Sequence, residues 1–353
     1  MARHLRLNGA ILALITLIAL LAACTAVPRA ASAQDAVPYT AVISRYLTGD
    51  ADSAVLELSR WSRAEVSAAA KAWTRRPGAM PKQAAMLHTD LAYVLMIAGA
   101  SATARFHLAL AQGIVEDMAR RERGHAPATP FAPRWLAFVA SLYTAHGLLD
   151  EADQTLVAGL SLFPRDPMLY VVRGVTYETR AALNRPNGRG GGIGGNIPRR
   201  TPARLLDMAV IEFRHALELD PALAIASLHL GWRRFTTGDA RAARDLDHAL
   251  AHAPDDEVRY LARLIRGLAA ERTNRVDDAR MEFEAAMQAG ARYQTAYVAL
   301  SRAEEALGHS ERARAIAQDY VQLTGKAEDP WWDFRLGGLS PTALRWLRLE
   351  ARR

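Results

Sequence analysis

The sequence predicts an all-α chain of helical hairpins stacked side by side and closed by a C-terminal capping helix. Three observations carry that expectation. Half of the 353 residues are hydrophobic but only 7% are aromatic, and the apolar share rests mainly on Ala and Leu, which suit helices more than sheets. A frame of small residues recurs along the chain, at one point with a period of 308 − 274 = 34 residues. Proline follows several copies of the frame, at Pro164, Pro221 and Pro254, where it ends a helix.

The N-terminal segment reads as an export signal. Arg3 and Arg6 precede an uninterrupted apolar run over residues 11–23, which is short for a membrane span and ends in small side chains. Two processing sites are legible. Leu21-Ala22-Ala23-Cys24 resembles a bacterial lipobox, in which Cys24 becomes the lipidated first residue, so that residues 1–24 form the signal and 25–38 a linker. Ala31-Ser32-Ala33 before Gln34 offers cleavage after Ala33 instead. Thr25 after the cysteine favours, by the same resemblance, the outer membrane; the alternative is a soluble secreted protein. The expected location is the periplasm or outer membrane of a Gram-negative-type bacterium.

Cys24 is the only cysteine, so disulfides, thiolate metal sites and cysteine nucleophiles are excluded from the body of the chain. Without the first 24 residues, 42 basic groups face 37 acidic ones. So small a surplus gives no reason to invoke nucleic acid and leaves at most a weak attraction to anionic envelope surfaces.

The repeat is clearest in residues 267–286. Gly267 is followed by Asn274, Ala279, Phe283 and Ala286, in steps of seven, five, four and three. The frame returns as Ser301, Gly308, Ala313, Ala317 and Tyr320. Upstream it reads Ala140, Gly147, Ala152, Leu156 and Gly159, and before that Ala92, Gly99, Ala104, Leu108 and Ala111. Gly231, Gly238, Ala243 and Ala249 form a copy one residue short, and Gly49, Ala54, Leu58 and Trp61 a partial first copy. Two helices crossing closely need small residues at the contact. A Gly or Asn at the turn takes positive φ and stops the first helix. A large residue four beyond the small one fills the gap on the same face.

This spacing resembles the tetratricopeptide repeat over roughly residues 40–325. The resemblance implies a right-handed superhelix of about six to seven hairpins, whose concave wall comes from the first helix of each copy and binds an extended peptide or partner helix. The domain reading is 39–118 for N-terminal repeats, 119–133 for a Pro-rich connector carrying Pro127, Pro130 and Pro133, 134–325 for the main array and 326–353 for the cap. Residues 62–76 read as an additional helix opened by the capping box of Ser62 and Glu65.

One copy is interrupted. Gly174 belongs to its first helix and Ala209, Phe213 and Ala216 to its second, leaving about 23 extra residues in the turn. The insert, 184–204, contains Gly190, Gly192 and Gly195 in the spacing G-x-G-x-x-G. A dinucleotide fingerprint needs a strand before it and a helix opening directly after; here a helix precedes it, Pro198 and Pro202 follow, and a P-loop lysine is missing. No cofactor is expected. The insert reads as a loop, but Arg185, Arg189, Arg199 and Arg200 lie in an acid-free stretch between Glu178 and Asp207 and could hold a polyanion.

Catalytic and metal chemistry find no support. His248 and His252 share a helix face, yet the intervening glutamate of a metalloprotease helix is missing, so they read as solvated. No serine stands in a nucleophile elbow. In the cap, Ser340-Pro341 opens a helix, with Leu344, Trp346 and Leu347 on its apolar side; Trp331 and Trp332 could instead anchor a partner.

Helical spacing assigns groove-facing side chains: Arg134, Ala137, Ser141 and Thr144; Met168, Val171, Val175 and Glu178; Ile225, Leu228, Trp232 and Phe235; Leu261, Leu264, Leu268 and Glu271; Val298, Arg302 and Glu305. A one-residue error in register would turn any of the apolar ones inward. The candidate partner-binding set is Arg134, Ser141, Glu178, Leu228, Trp232, Phe235 and Arg302. The Lys/Asn carboxylate clamp of chaperone-binding members is missing, since the only lysines are Lys71, Lys82 and Lys326. The function expected is a non-catalytic envelope scaffold binding a protein or peptide; the alternative is a glycan- or lipid-binding accessory protein or enzyme subunit using the arginine loop.

Overall fold

The computed structural model describes residues 39–74, 80–122, 131–183, 201–335 and 337–338. Sixteen helices and no strand occur among them. The chain divides into two compact units that part between Ala132 and Pro133.

The first unit holds α1 (Tyr39–Leu47), α2 (Ala51–Ser59), α3 (Arg63–Thr74), α4 (Pro81–Ile97) and α5 (Ser101–Glu122). α1 and α2 form one hairpin, and α4 and α5 another. The helix between them opens as its capping box requires. Ser62 N donates to Glu65 Oε2 at 2.7 Å, and Glu65 N to Ser62 Oγ at 3.3 Å. Ala54 and Leu58 of one hairpin, and Ala104, Leu108 and Ala111 of the other, are fully buried.

The second unit contains α6 (Phe131–Ala145), α7 (Leu149–Leu162), α8 (Pro167–Leu183), α9 (Pro202–Leu219), α10 (Ala224–Thr237), α11 (Ala242–Ala251), α12 (Asp256–Arg272), α13 (Val276–Ala289), α14 (Gln294–Ala306), α15 (Ser310–Gln322) and α16 (Pro330–Arg335). The helices from α6 to α15 pair into five successive hairpins. The second helix of each packs on the first helix of the next, as α9 on α10, α11 on α12 and α13 on α14.

The frame of small residues has a direct packing cause. A methyl added at Gly267 would run into Phe283 Cε1 and Cδ1, and one at Gly174 would lie 2.5 Å from Phe213 Cε1. Where a first helix carries a glycine at the crossing, at Gly174, Gly231 and Gly267, that glycine is the socket for the large residue of its second helix. The turns behave as the spacing demands, with Gly147 at φ 70° and Asn274 at φ 58°, the left-handed region that Gly and Asn tolerate.

Five details differ from the sequence reading. In the short copy the buried small residue is Ala242, not Ala243, so the missing residue lies in the turn and Leu246 fills the socket at Gly231. In the last copy Ile316 is buried and Ala317 exposed, so the large inward residue stands three and not four positions beyond Ala313. The connector is shorter than 119–133. α5 runs to Glu122, and Pro133 sits in the first turn of α6, where its lost N–H is no cost. Residues 123–130 lie outside the described residues. Likewise Pro202 opens α9 rather than ending the insert, with Thr201 Oγ1 accepting from Arg204 N at 3.3 Å.

The fifth concerns the cap. Its described part, residues 326–335 and 337–338, lies on the first helices of the second unit, and Trp331 and Phe334 join the core of α10 and α12. The outer side of α14 and α15, lined by Tyr297, Val298, Ala317, Tyr320 and Val321, borders an open groove instead. On the first-helix face the segment finds the indole of Trp232, against which Trp331 and Phe334 bury their rings. The expected helix at Ser340-Pro341, and Leu344, Trp346 and Leu347 with it, lie outside the described residues.

Candidate functional site: the first-helix face of the second unit and its strap

Residues 327–338 form a strap across α14, α12, α10 and α8 in that order. Ala327 N donates to Arg292 O at 3.1 Å at its start. Asp329 then anchors it. Its Oδ2 accepts from Thr295 N at 2.7 Å, and its Oδ1 from Tyr260 OH at 2.9 Å and from Trp331 N at 3.0 Å. One buried carboxylate thus serves the N-terminus of α14, where the helix dipole favours negative charge, and caps α16 as well. Burial, and then the Asp329 carboxylate, push the Tyr260 phenol far above its usual range, so it remains a donor.

Two aromatic side chains follow. Trp331 meets Trp232 edge-on with ring centroids 5.2 Å apart, and Phe334 lies 6.2 Å from the same indole. Phe334 also covers His229 at 4.7 Å, and the other side of that imidazole rests on Phe213 at 5.0 Å. Trp232 stacks on Phe235, whose ring carries the Arg272 guanidinium at 4.1 Å. The strap helix ends with Gly337 at φ 80°, its N–H donating to Phe334 O. Thr179 Oγ1 donates to the Gly337 carbonyl, and a side chain at Gly337 would collide with Glu178 Cβ at 2.6 Å. This glycine is required by contact as well as by φ.

Beneath Phe334 lies a buried charged group. Glu178 Oε2 accepts from His229 Nδ1 at 2.8 Å, and Glu178 Oε1 stands 2.6 Å from Arg233 Nε. The second contact is close but not aligned as a hydrogen bond, so it acts as an ion pair. An ionised Glu178 can only accept, which assigns the proton to His229 Nδ1. His229 Nε2 and Trp232 Nε1 are buried and have no hydrogen-bond partner among the described residues. Sequence reasoning passed over His229, Arg233 and Asp329. Asp329-Pro330 is an N-cap and first-turn signature that could have revealed the strap helix; the charged group has no such local signal.

The candidate binding residues fall into three sets. Ser141 and Leu228 are buried, Ser141 Oγ donating to Ala137 O at 2.7 Å, and so are Glu178, Val171, Val175, Leu261 and Leu264. Each turned inward because adjacent first helices pack against one another and claim part of the stripe that spacing assigned to a groove. Trp232 and Phe235 are half-buried on the face the strap crosses, and Arg134 is half-buried on α6. Arg302 is exposed but paired with Glu271, Nη2 to Oε2 at 2.5 Å and Nε to Oε1 at 3.1 Å, which neutralises both. Of the two cap tryptophans Trp331 is buried and Trp332 half exposed. Cys24 and the arginines of the insert, Arg185, Arg189, Arg199 and Arg200, lie outside the described residues.

His248 and His252 stack at 4.3 Å, and His248 Nδ1 is 2.9 Å from Ser227 Oγ. Among the described residues no group of three or more His, Cys, Asp or Glu side chains could hold a metal. No helix among them is long and apolar enough to cross a membrane.

No protein-family model and no curated protein matches the sequence. Several solved structures overlap it in part. A tetratricopeptide repeat protein from Parabacteroides merdae aligns over 77% of this chain and all of its own, at a TM-score of 0.43 and 14% identity. A thermophilic tetratricopeptide protein of Thermus thermophilus covers 67% of this chain and all of its own, at 0.40 and 17%. The MamA protein covers 60% of this chain and 90% of its own, at 0.38 and 17%. Overlap at this level assigns no function. The fold itself is all-α, built of paired helical hairpins, and rests on the sockets, turns and hairpin pairing seen in this chain.

Proposed function

We propose that this chain is a non-catalytic interaction scaffold of the cell envelope, and that the first-helix face of its second unit binds a short helical or extended segment of a partner protein. One observation carries this reading: that face already holds a segment from outside the repeats, the strap, with Trp331 against Trp232 and Phe334 against His229. Aromatic anchors in desolvated pockets are how peptide-binding faces concentrate their energy. The envelope assignment is supported by the basic start, the apolar run and Cys24.

The test is site-specific crosslinking in a host envelope fraction from the exposed rim of this face, comparing the unmodified chain with a Trp232→Ala, Phe235→Ala double variant of matching circular dichroism. A partner lost in the variant is the expected result. An identical set of crosslinked proteins would sink the assignment.

A second surface is proposed on the insert, whose arginines and lack of acids suit an anionic glycan or lipid. Equal binding to anionic vesicles with and without residues 185–202 would remove it.

A further inference from the structure

We propose that residues 327–338 are a built-in, exchangeable occupant of the first-helix face, and that the partner segment has the strap's chemistry: an acidic N-cap followed by two aromatic residues three positions apart on a short helix. The inference rests on the interaction reading above and specifies its ligand.

The strap's helix has six residues, Pro330–Arg335, too few to be stable in water, so its helical form depends on the face beneath it. It is fastened at two ends and in the middle. Asp329 sits at the N-terminus of α14, Trp331 and Phe334 on Trp232 and His229, and the Gly337 carbonyl on Thr179. Asp329, Trp331 and Phe334 therefore define a recognition pattern that another chain can present. The spacing from Trp331 to Phe334 places both rings on one side of the helix, while Trp332 between them points away, half exposed.

The fit of the strap is incomplete. Among the described residues His229 Nε2 and Trp232 Nε1 remain without partners although both rings touch Phe334. Unmatched buried groups oppose the docked state. A partner helix with a polar side chain beside its second aromatic would satisfy them where Phe334 alone cannot. The strap holds its place by proximity, since only residues 323–326 separate it from the end of α15. A short tether supplies an effective concentration on the order of millimolar. A free segment of equal fit would be outcompeted, and one that also satisfies the two ring nitrogens would displace the strap.

The test uses the full chain and a fluorescein-labelled synthetic peptide with the sequence of residues 327–338. Polarisation should show the peptide binding a Trp331→Ala, Phe334→Ala variant at least about tenfold more tightly than the unmodified chain. Adding Trp232→Ala should remove that gain. Equal affinity for both chains, or a gain that survives Trp232→Ala, would overturn the proposal. So would a dimer of the unmodified chain formed by exchanged straps, since the occupant would then be a second copy. Should the double variant fail to fold, hydrogen exchange of the unmodified chain decides: peptide supplied well above the tether's effective concentration, on the order of ten millimolar, must speed exchange at Trp331, Gly337 and Gly338, and unchanged protection there refutes displacement. Should the peptide behave as expected while no envelope protein is crosslinked, the scaffold assignment falls and the exchangeable strap stands.

Discussion

The indole of Trp331 meets the indole of Trp232 edge-on, at 76° between planes, and joins a segment near the C-terminus to a helix about a hundred positions earlier. Because Trp331 is almost fully buried there, Trp331→Ala removes the largest apolar contribution of the strap. The expected cost is about 3 kcal/mol in denaturant melts, at the lower end for a large aromatic because the strap can lift away rather than leave a cavity. Tryptophan emission should shift to the red as Trp232 becomes wet. An unchanged spectrum would mean the ring is not held against α10.

Glu178 carries the charge balance beneath the strap, facing His229 and Arg233 at once. Glu178→Gln leaves a buried guanidinium without its counter-charge, and we expect a loss of roughly 3 kcal/mol or more. Glu305, an exposed glutamate on the same set of helices, serves as control. Its change to Gln should move the urea midpoint hardly at all.

In the first unit, Tyr39 OH is 2.8 Å from His88 Nε2, and His88 Nδ1 is 3.1 Å from His107 Nδ1. Burial pushes both imidazoles down, His88 well below its ordinary value and His107 to about 4, the latter helped by the Arg63 guanidinium. Both are neutral in the folded chain, whereas the unfolded chain takes up protons near pH 6.5. Stability is therefore full above that value and falls as the pH drops toward 4, by roughly 3 kcal/mol for a shift like that of His107. Urea melts at pH 7 and 4.5 measure it. His107→Leu should flatten the dependence, and an equally steep fall in that variant would rule these groups out as its source.

Gly267 and Gly113 make opposite predictions for one substitution. A methyl at Gly267 meets the buried ring of Phe283, and Gly267→Ala should destabilise by about 1–3 kcal/mol. At Gly113, in the interior of α5, nothing lies within 4 Å, so Gly113→Ala should stabilise by about 0.5–1 kcal/mol through helix propensity. Thermal melts that shifted both variants the same way would contradict the socket account of the repeat.

Cys24 permits a separate test of the envelope assignment. Replacing it with alanine should move the chain from the membrane fraction to the soluble one. Unaltered fractionation would argue against a lipid anchor.

Hairpins, turns and sockets were legible in the sequence because they depend on residues a few positions apart. Gly267 and Phe283, or Asn274 at its turn, impose their geometry wherever the helices stack, so spacing alone identified them. The one-residue slip at Ala242 shows the limit of that reading, since a shorter turn and a shorter helix look alike in a linear string. What faces what was decided only by the tertiary structure. Leu228 and Ser141 fell inward while Trp232 stayed at the face, because helix rotation of a few tens of degrees settles burial and no local preference encodes it. The strap is the plainest case. Residues 327–338 carry the aromatic pair and the capping aspartate, but their destination depends on a surface assembled from α8, α10, α12 and α14, which exists only once those helices have packed.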